Sequence, residues 1–516
     1  MESLDTAANF PADPTARLSH DSCYRALAAR DSRFDGVFFT GVTTTGIYCR
    51  PVCAVRTPRA ASCEFFGSAA AAEAAGFRPC LRCRPELAPY AIQQNLAYAV
   101  WQLIAAGALN ESDRGGGLEQ LATTVGLSSR QLRRVLLQHF GVTPVELAQT
   151  QRLLFAKKLL QETALPMAQV AYAAGFGSVR RFNALFAARY GMAPMTIRRA
   201  IARTDGSGND ALILRLAYRP PFAWTAMLRY LAQRAIPGLE AVEQDAYLRS
   251  VQLGDGVQGW LRVSHLPRNH QLQLALAPSL SGVLMPLLAR VRNQFDLDAN
   301  PLLIAQHLQD DPLLAAPCIA VPGLRVPGAF DAFELALRAI LGQQVSVAGA
   351  TTLAGRLVAQ FGAAAATPFA QIVRHAPQAQ VLALASPDAV AQIGLPRKRA
   401  ETICALARFA ADGGLTMRPG RSLDDTVVAL RSVAGIGEWT AQYIALRALR
   451  FPNAFPAGDL GLQKAAAAAA AATTTTTTTS GVERLTEKQL LARSTEWAPW
   501  RGYAAMLLWQ TLHIEK

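Results

Sequence analysis

Two close pairs of cysteines, Cys49-Arg-Pro-Val-Cys53 and Cys80-Leu-Arg-Cys83, restrict the fold of this chain more than any other feature. Six of the eight cysteines lie before residue 84, and the rest of the 516-residue chain carries two. A secreted disulfide framework spreads its bridges over the fold it staples, so this distribution argues for metal instead. Cys-x3-Cys followed by Cys-x2-Cys has the spacing of a structural four-cysteine site holding one Zn²⁺, each pair biting from one turn. A domain this small needs such a staple. The stretch Phe34–Cys49 is rich in β-branched and aromatic residues and predicts short strands; Ala69–Ala75 predicts a helix. Cys23 and Cys63 match no ligand position.

The bulk numbers choose the partner. Net charge is +14, which favours nucleic acid, and the excess is uneven: Leu118–Asp205 holds twelve Lys/Arg against four Asp/Glu. The first twenty residues lack a basic region followed by an apolar core, and no run suits a bilayer. A soluble, cytoplasmic, nucleoid-associated protein without a membrane partner is expected.

Inside the basic stretch one arrangement occurs twice. Ala122 and Gly126, four apart, suit the tight corner of a helix-turn-helix, and Ser128 can cap the second helix. Ala171, Gly175 and Ser178 repeat the pattern 49 residues later, with a long helix around Leu147–Leu160 between. The expected recognition helices are about Ser128–Phe140 and Ser178–Tyr190. Leu132, Val135, Leu136, Phe182 and Phe186 are assigned to the core. Arg130, Arg133, Arg134, Arg180 and Asn183 face outward toward bases or phosphates. For any single arginine, a solvated face or a phosphate contact is the plainer role.

Nearer the other end, Val433-Ala434-Gly435-Ile436-Gly437 is a two-glycine hairpin between apolar helical patterns. Gly435 and Gly437 let backbone approach a ligand, and the next helix begins there with free N–H groups, a place for a DNA phosphate. Pro456-Ala457-Gly458 then delivers one carboxylate, Asp459, at the start of another helix. By itself Asp459 reads equally as a helix N-cap.

These blocks resemble known families. FDGVFFTGVTTTGIYCRPVC and AAEAAGFRPCLRCRP resemble the N-terminal domain of the Ada adaptive-response proteins. That resemblance implies a reactive zinc site in which Cys49 accepts a methyl group from a DNA methylphosphotriester, with Cys53, Cys80 and Cys83 as co-ligands. The tandem resembles the AraC-type DNA-binding domain. Hairpin, helix and carboxylate, with Val326–Ala348 and Trp497–Trp509, resemble the 3-methyladenine DNA glycosylase II (AlkA-type) family of the helix-hairpin-helix superfamily. There Asp459 would stabilise an oxocarbenium-like sugar, and Trp439, Tyr443, Trp509 and Tyr230 would form the base pocket. Gln344 would be the wedge that fills the vacated stack. Trp439 stands where strand-cutting relatives keep lysine, and tryptophan cannot form a Schiff base, so base excision without lyase chemistry is implied. No Pro-Cys-His-Arg motif occurs, so the O6-methylguanine domain of many Ada proteins is not expected here.

The expected fold is multidomain and mainly α. A zinc methyl-acceptor domain of α/β type (17–90) precedes an all-α tandem helix-turn-helix domain (91–202) and a linker (203–210). An α+β subdomain (211–290) then leads into an all-α helix-hairpin-helix glycosylase domain (291–516), interrupted by a low-complexity Ala/Thr insertion (465–480). Strands at Leu212–Tyr218 and Tyr247–Val263 flank a helix near Phe222–Arg234. The expected partners are alkylated DNA, promoter DNA and, for an activator, RNA polymerase. Two rival readings are a transcription regulator whose glycosylase half is only a DNA-binding scaffold, and a repair enzyme whose zinc is an inert staple.

Overall fold

The computed structural model describes residues 19–89, 96–110, 117–201, 211–254, 256–416, 421–473 and 485–514. The expected tail, the linker 203–210, most of the loop at 110–117 and the bulk of the threonine run lie outside the described residues.

The first cysteine region folds as expected from its β-branched content. Strands Phe39–Val42 and Ile47–Cys49 form a hairpin, with Cys63–Phe66 antiparallel on one side and the short Arg78–Pro79 parallel on the other. Cys49 is the last residue of its strand, and Cys80 follows Arg78–Pro79, so the sheet itself brings the cysteine pairs together.

Both helix-turn-helix corners appear. Helices Leu118–Thr124 and Ser129–Phe140 meet at Gly126 (φ +71°), and Met167–Ala173 and Val179–Tyr190 meet at Gly175 (φ +82°). Ser128 and Ser178 cap the second helix of each pair. A 19-residue helix, Pro144–Glu162, joins the units. Leu132, Leu136, Phe182 and Phe186 are fully buried, while Val135 is only half-buried at the edge of its core.

The next region is a five-stranded antiparallel sheet in the order Leu212–Ala217, Gln271–Leu276, Val257–Leu266, Ala246–Leu253, Glu240–Glu243, with helix Trp224–Ala232 packed beside it. Two of these strands escaped the sequence reading. Glu240–Glu243 is a four-residue edge strand, and Gln271–Leu276 alternates leucine with glutamine and alanine and lacks β-branched residues. The sheet does not have a core of its own. Leu153, Ala156, Phe176, Phe182 and Phe186 of the second helix-turn-helix unit join Leu214, Tyr247, Val263 and Leu274 in one continuous cluster, whereas the first unit keeps a separate core.

From Leu284 onward the described structure is almost wholly helical. Helices Leu423–Arg431 and Glu438–Arg447 bracket the hairpin. The alanine run continues the helix that begins after Asp459, Leu460–Thr473, as expected for the best helix former. It is not set apart from the fold: Ala465 and Ala466 are fully buried in the main core, which helix Arg501–Ile514 shares. No helix among the described residues is long and apolar enough to cross a membrane.

Candidate functional site

Asp459 sits where three elements converge. Its Oδ1 accepts the Leu462 amide at 2.8 Å, so it does cap the helix. The same oxygen accepts the Trp509 indole N–H at 2.9 Å, and Oδ2 accepts that of Trp439 at 3.1 Å. Cap and candidate catalytic carboxylate are therefore one residue. The two tryptophans, placed by sequence as stacking surfaces, also fix the carboxylate. Trp439 and Tyr443, four apart on one helix, stack with centroids 5.5 Å apart and planes at 19°; Tyr443 meets Trp509 edge-on at 6.4 Å. All are half-buried, so part of each ring stays open to solvent.

Tyr230 comes from the sheet subdomain, and its hydroxyl lies 3.4 Å from that of Tyr443. Beneath both is a residue the sequence reading passed over. Arg447 is buried, donates from Nη1 to the Tyr443 hydroxyl at 2.6 Å and to that of Tyr230, and is anchored through Nε on the Pro327 carbonyl. The Arg234 guanidinium covers the Tyr230 ring at 3.8 Å. Burial pushes the Tyr230 phenol up, but Arg234 and Arg447 pull it down further, to about 8. Burial raises Tyr443 to about 12. The spacing Trp439, Tyr443, Arg447, each four residues on, was the available signal: all three share one helix face.

The hairpin glycines differ in kind. Gly435 has φ +89°, and a Cβ there would lie 2.1 Å from Thr402 Oγ1, so the turn requires glycine. Gly437 is extended, with nothing within 4 Å of where its Cβ would be, so it presents open backbone at the helix start. Gln343, also missed, donates from Nε2 to the Gly435 carbonyl (3.2 Å) and Thr440 Oγ1 (3.0 Å), tying its loop to the hairpin. Gln344 is exposed at φ +58°, a left-handed conformation that costs a non-glycine residue roughly 1–2 kcal/mol. Its neighbour Val345 is also exposed.

At the other end the four predicted ligands meet. The sulfurs of Cys49, Cys53, Cys80 and Cys83 all lie within 4.8 Å of one another, and no other such cluster of metal-binding side chains occurs among the described residues. Four thiolates at about 2.3 Å from one ion need this closeness, so the donor set fits zinc. The thiols hydrogen-bond among themselves, which holds Cys80 far below and Cys49 far above the ordinary thiol range. Such a set reaches a common thiolate state only around a cation. Backbone amides reach two of the sulfurs: Arg50 N–H to Cys83 Sγ (3.4 Å) and Cys83 N–H to Cys80 Sγ (3.5 Å). Contact with the Val55 amide lowers Cys53 in the same sense, behind the larger effect of Cys49. No backbone hydrogen bond to Cys49 Sγ occurs among the described residues. Cys23 and Cys63 stand apart from the cluster, and burial raises both thiols.

The centre is wired to its neighbours. Lys157, fully buried in the helix joining the helix-turn-helix units, donates to the Cys80 carbonyl (3.3 Å) and to Glu86 (2.7 Å). Arg219 of the sheet subdomain donates to the carbonyls of Asp35 (2.6 Å), Pro89 (3.2 Å) and Asp298 (2.6 Å). On the recognition helices, Arg130, Arg133, Arg134, Arg180 and Asn183 are all exposed, while Arg189 of the second helix turns back to pair with Glu73 at 2.6 Å.

Comparison with known proteins covers nearly the whole chain. Four family models match in series: the metal binding domain of Ada (residues 22–86), a helix-turn-helix domain (121–200), the AlkA N-terminal domain (213–331) and the HhH-GPD superfamily of base excision DNA repair proteins (337–490). A probable bifunctional transcriptional activator/DNA repair enzyme AlkA of Mycobacterium tuberculosis is 38% identical over 501 residues, covering 95% of this chain and 96% of that protein. DNA-3-methyladenine glycosylase 2 of Escherichia coli is 34% identical over 57% of this chain and 96% of its own length. The bifunctional transcriptional activator/DNA repair enzyme Ada of the same organism is 37% identical over 28% of this chain and 39% of its own.

Proposed function

The chain belongs to the family of bifunctional transcriptional activator/DNA repair enzymes AlkA, and we propose that Asp459 carries its glycosylase chemistry and Cys49 its methyl acceptance. It combines a 3-methyladenine DNA glycosylase with an Ada-type methyl-acceptor zinc domain and a helix-turn-helix activator.

One observation supports Asp459 above the rest: both carboxylate oxygens are fixed by N–H donors beside half-buried aromatic faces. A carboxylate offers about four acceptor positions, and three are taken. The fourth, on Oδ2, is left for the attacking water. A flipped base lies against Trp439, Tyr443 and Trp509, and the fixed negative charge faces the sugar as it becomes positive. The donors hold the carboxylate before substrate arrives, so no reorganisation is needed at the moment of bond cleavage. Gly437 and the exposed start of its helix receive a DNA phosphate, Gln343 holds that hairpin to the neighbouring loop, and Gln344 enters the stack.

Zinc, when bound, keeps its sulfur ligands as thiolates near neutral pH. Cys49 Sγ attacks the methyl carbon of a phosphotriester; the S–C bond forms, the C–O bond breaks, and its electron pair stays on the phosphate oxygen. Amide donors draw charge from Cys53, Cys80 and Cys83 but not from Cys49, which supports Cys49 as the most nucleophilic of the four. Methylation removes one negative charge from the cluster and with it a repulsion toward the DNA backbone. Arg130, Arg133, Arg134, Arg180 and Asn183 read the promoter, and RNA polymerase is the proposed partner of the activator. The protein works in the cytoplasm on nucleoid DNA.

The test is a single incubation with methyl-labelled DNA. Free 3-methyladenine in solution and one methyl on the Cys49 peptide are expected, with the DNA strand left intact and abasic. Label on Cys63 or Cys80, or a borohydride-trapped enzyme–DNA adduct, overturns the assignments.

A further inference from the structure

The short helix Ala69–Ala74 of the zinc domain reaches the same end of both recognition helices. Its cap residue, Ser68, donates from Oγ to the carbonyl of Phe140, the last residue of the first recognition helix, at 3.4 Å. Ala70 joins the core of that first unit. Near its other end, Glu73 takes hold of the second: Oε2 accepts Arg189 Nη1 at 2.6 Å, one residue before the end of Val179–Tyr190. Gly191, just beyond that helix, lies so close to the zinc domain that a Cβ there would be 3.5 Å from Arg78 Nη1.

Glu73 is the junction. Its side chain is fully buried, and its carboxylate also accepts the Tyr48 hydroxyl at 3.0 Å and Thr150 Oγ1 at 2.8 Å. Tyr48 precedes Cys49 on its strand, and Thr150 belongs to the helix joining the two units. The methyl-accepting strand, the joining helix and the second recognition helix therefore lean on one side chain. Apolar packing of Phe182 and Phe186 holds the buried face of the second helix, but such packing is non-directional. The hydrogen-bonded charge pair at its end is directional and fixes where that end points.

A basic residue on a recognition helix would ordinarily touch phosphate, yet Arg189 is placed for another task. It lies nine residues beyond Arg180, which at 3.6 residues per turn is about half a turn round the helix. It also sits in the last turn, whereas base edges are met by the N-terminal end. Resting on the reading of both helix-turn-helix units as DNA readers, we propose that the zinc domain is a brace for the recognition helices. Glu73 is the positioning residue that holds the second of them, through Arg189, in the pose that reads DNA.

The experiment uses the full zinc-loaded chain and a duplex that the wild type selects from a random-sequence pool, read by hydroxyl-radical footprinting. Two protected patches are expected, and the one weakened by Arg180→Ala belongs to the second unit. Glu73→Gln should lose protection over that patch and keep the other, with affinity down about tenfold, the worth of one charged hydrogen bond. Its zinc content and 3-methyladenine release should match wild type. If Glu73→Gln loses its zinc, Arg189→Gln decides by the same footprint, because it leaves the Tyr48 and Thr150 bonds in place. Arg189→Lys, which keeps a charged donor, should retain the second patch. Tighter binding by Glu73→Gln means that Arg189 is a DNA contact held back by the pair, and it overturns the proposal. Equal loss of both patches with zinc retained also overturns it. Two wild-type patches that neither variant alters overturn this inference alone. A wild-type footprint of fewer than two patches overturns the reading of both units as DNA readers, and this inference with it.

Discussion

The two reactive atoms assigned to this molecule are held in opposite ways. The Asp459 carboxylate receives three N–H donors, two from indoles and one from backbone, and keeps a single acceptor position open. The sulfur of Cys49 sits among three others, and the backbone donors of that neighbourhood go to its partners. On the proposed roles, the contrast follows from how often each atom is used. A carboxylate that acts in every turnover gains from donors that lock its orientation and do not consume its charge. A sulfur that acts once needs its electron pair undiluted, because every N–H pointed at it makes it a poorer nucleophile. The donors that raise fidelity at one centre would lower reactivity at the other.

The largest effect expected concerns the metal. Removing zinc with a chelator, or changing Cys53, Cys80 or Cys83 to alanine, withdraws an apparent binding free energy of roughly 10–16 kcal/mol from a region with little core of its own. Limited proteolysis should then cut within residues 19–89, and intact, metal-free protein resistant there would break the account of how Cys49 is held.

Next is Asp459→Asn, which keeps the size and the cap but loses the charge. Base release should fall by two orders of magnitude or more, about 3 kcal/mol, while affinity for abasic DNA changes far less. A near-normal rate would reduce Asp459 to a helix cap.

Trp439→Phe and Trp509→Phe sharpen the comparison further. Each retains an aromatic face and deletes one N–H bond to the carboxylate, worth roughly 1.5–3 kcal/mol for a charged acceptor. Release should slow by about tenfold or more in each, whereas tryptophans that only stack predict rates close to wild type. The smallest effect is for Gln343→Ala, where two neutral bonds to the hairpin are lost. Abasic-DNA binding should weaken about fivefold with the melting temperature almost unchanged.

Much of this was legible beforehand because it depends on short spacings. Cys49, Cys53, Cys80 and Cys83, the capped corners at Gly126 and Gly175, and the hairpin at Gly435 each satisfy a local rule about turns or ligand bite. Asp459 was placed at a helix start for the same reason. What stayed hidden lies in contacts between distant segments. Nothing in the pattern around Trp509 says that its N–H lies 2.9 Å from a carboxylate fifty positions earlier. Arg447 looked like a last-turn helix cation, and Gln343 like a neighbour of the wedge. The Ala465–Ala472 run, read as an insertion, proved to include core residues, because a run without side-chain character carries no sign of which face is buried.

The core that Phe182 and Phe186 share with Leu214 and Val263 has a consequence for how such a chain can be divided. A chain divided at the polar segment before residue 211 would be cut through that shared interior. Each product would carry half of one apolar interior, open to water along the broken side.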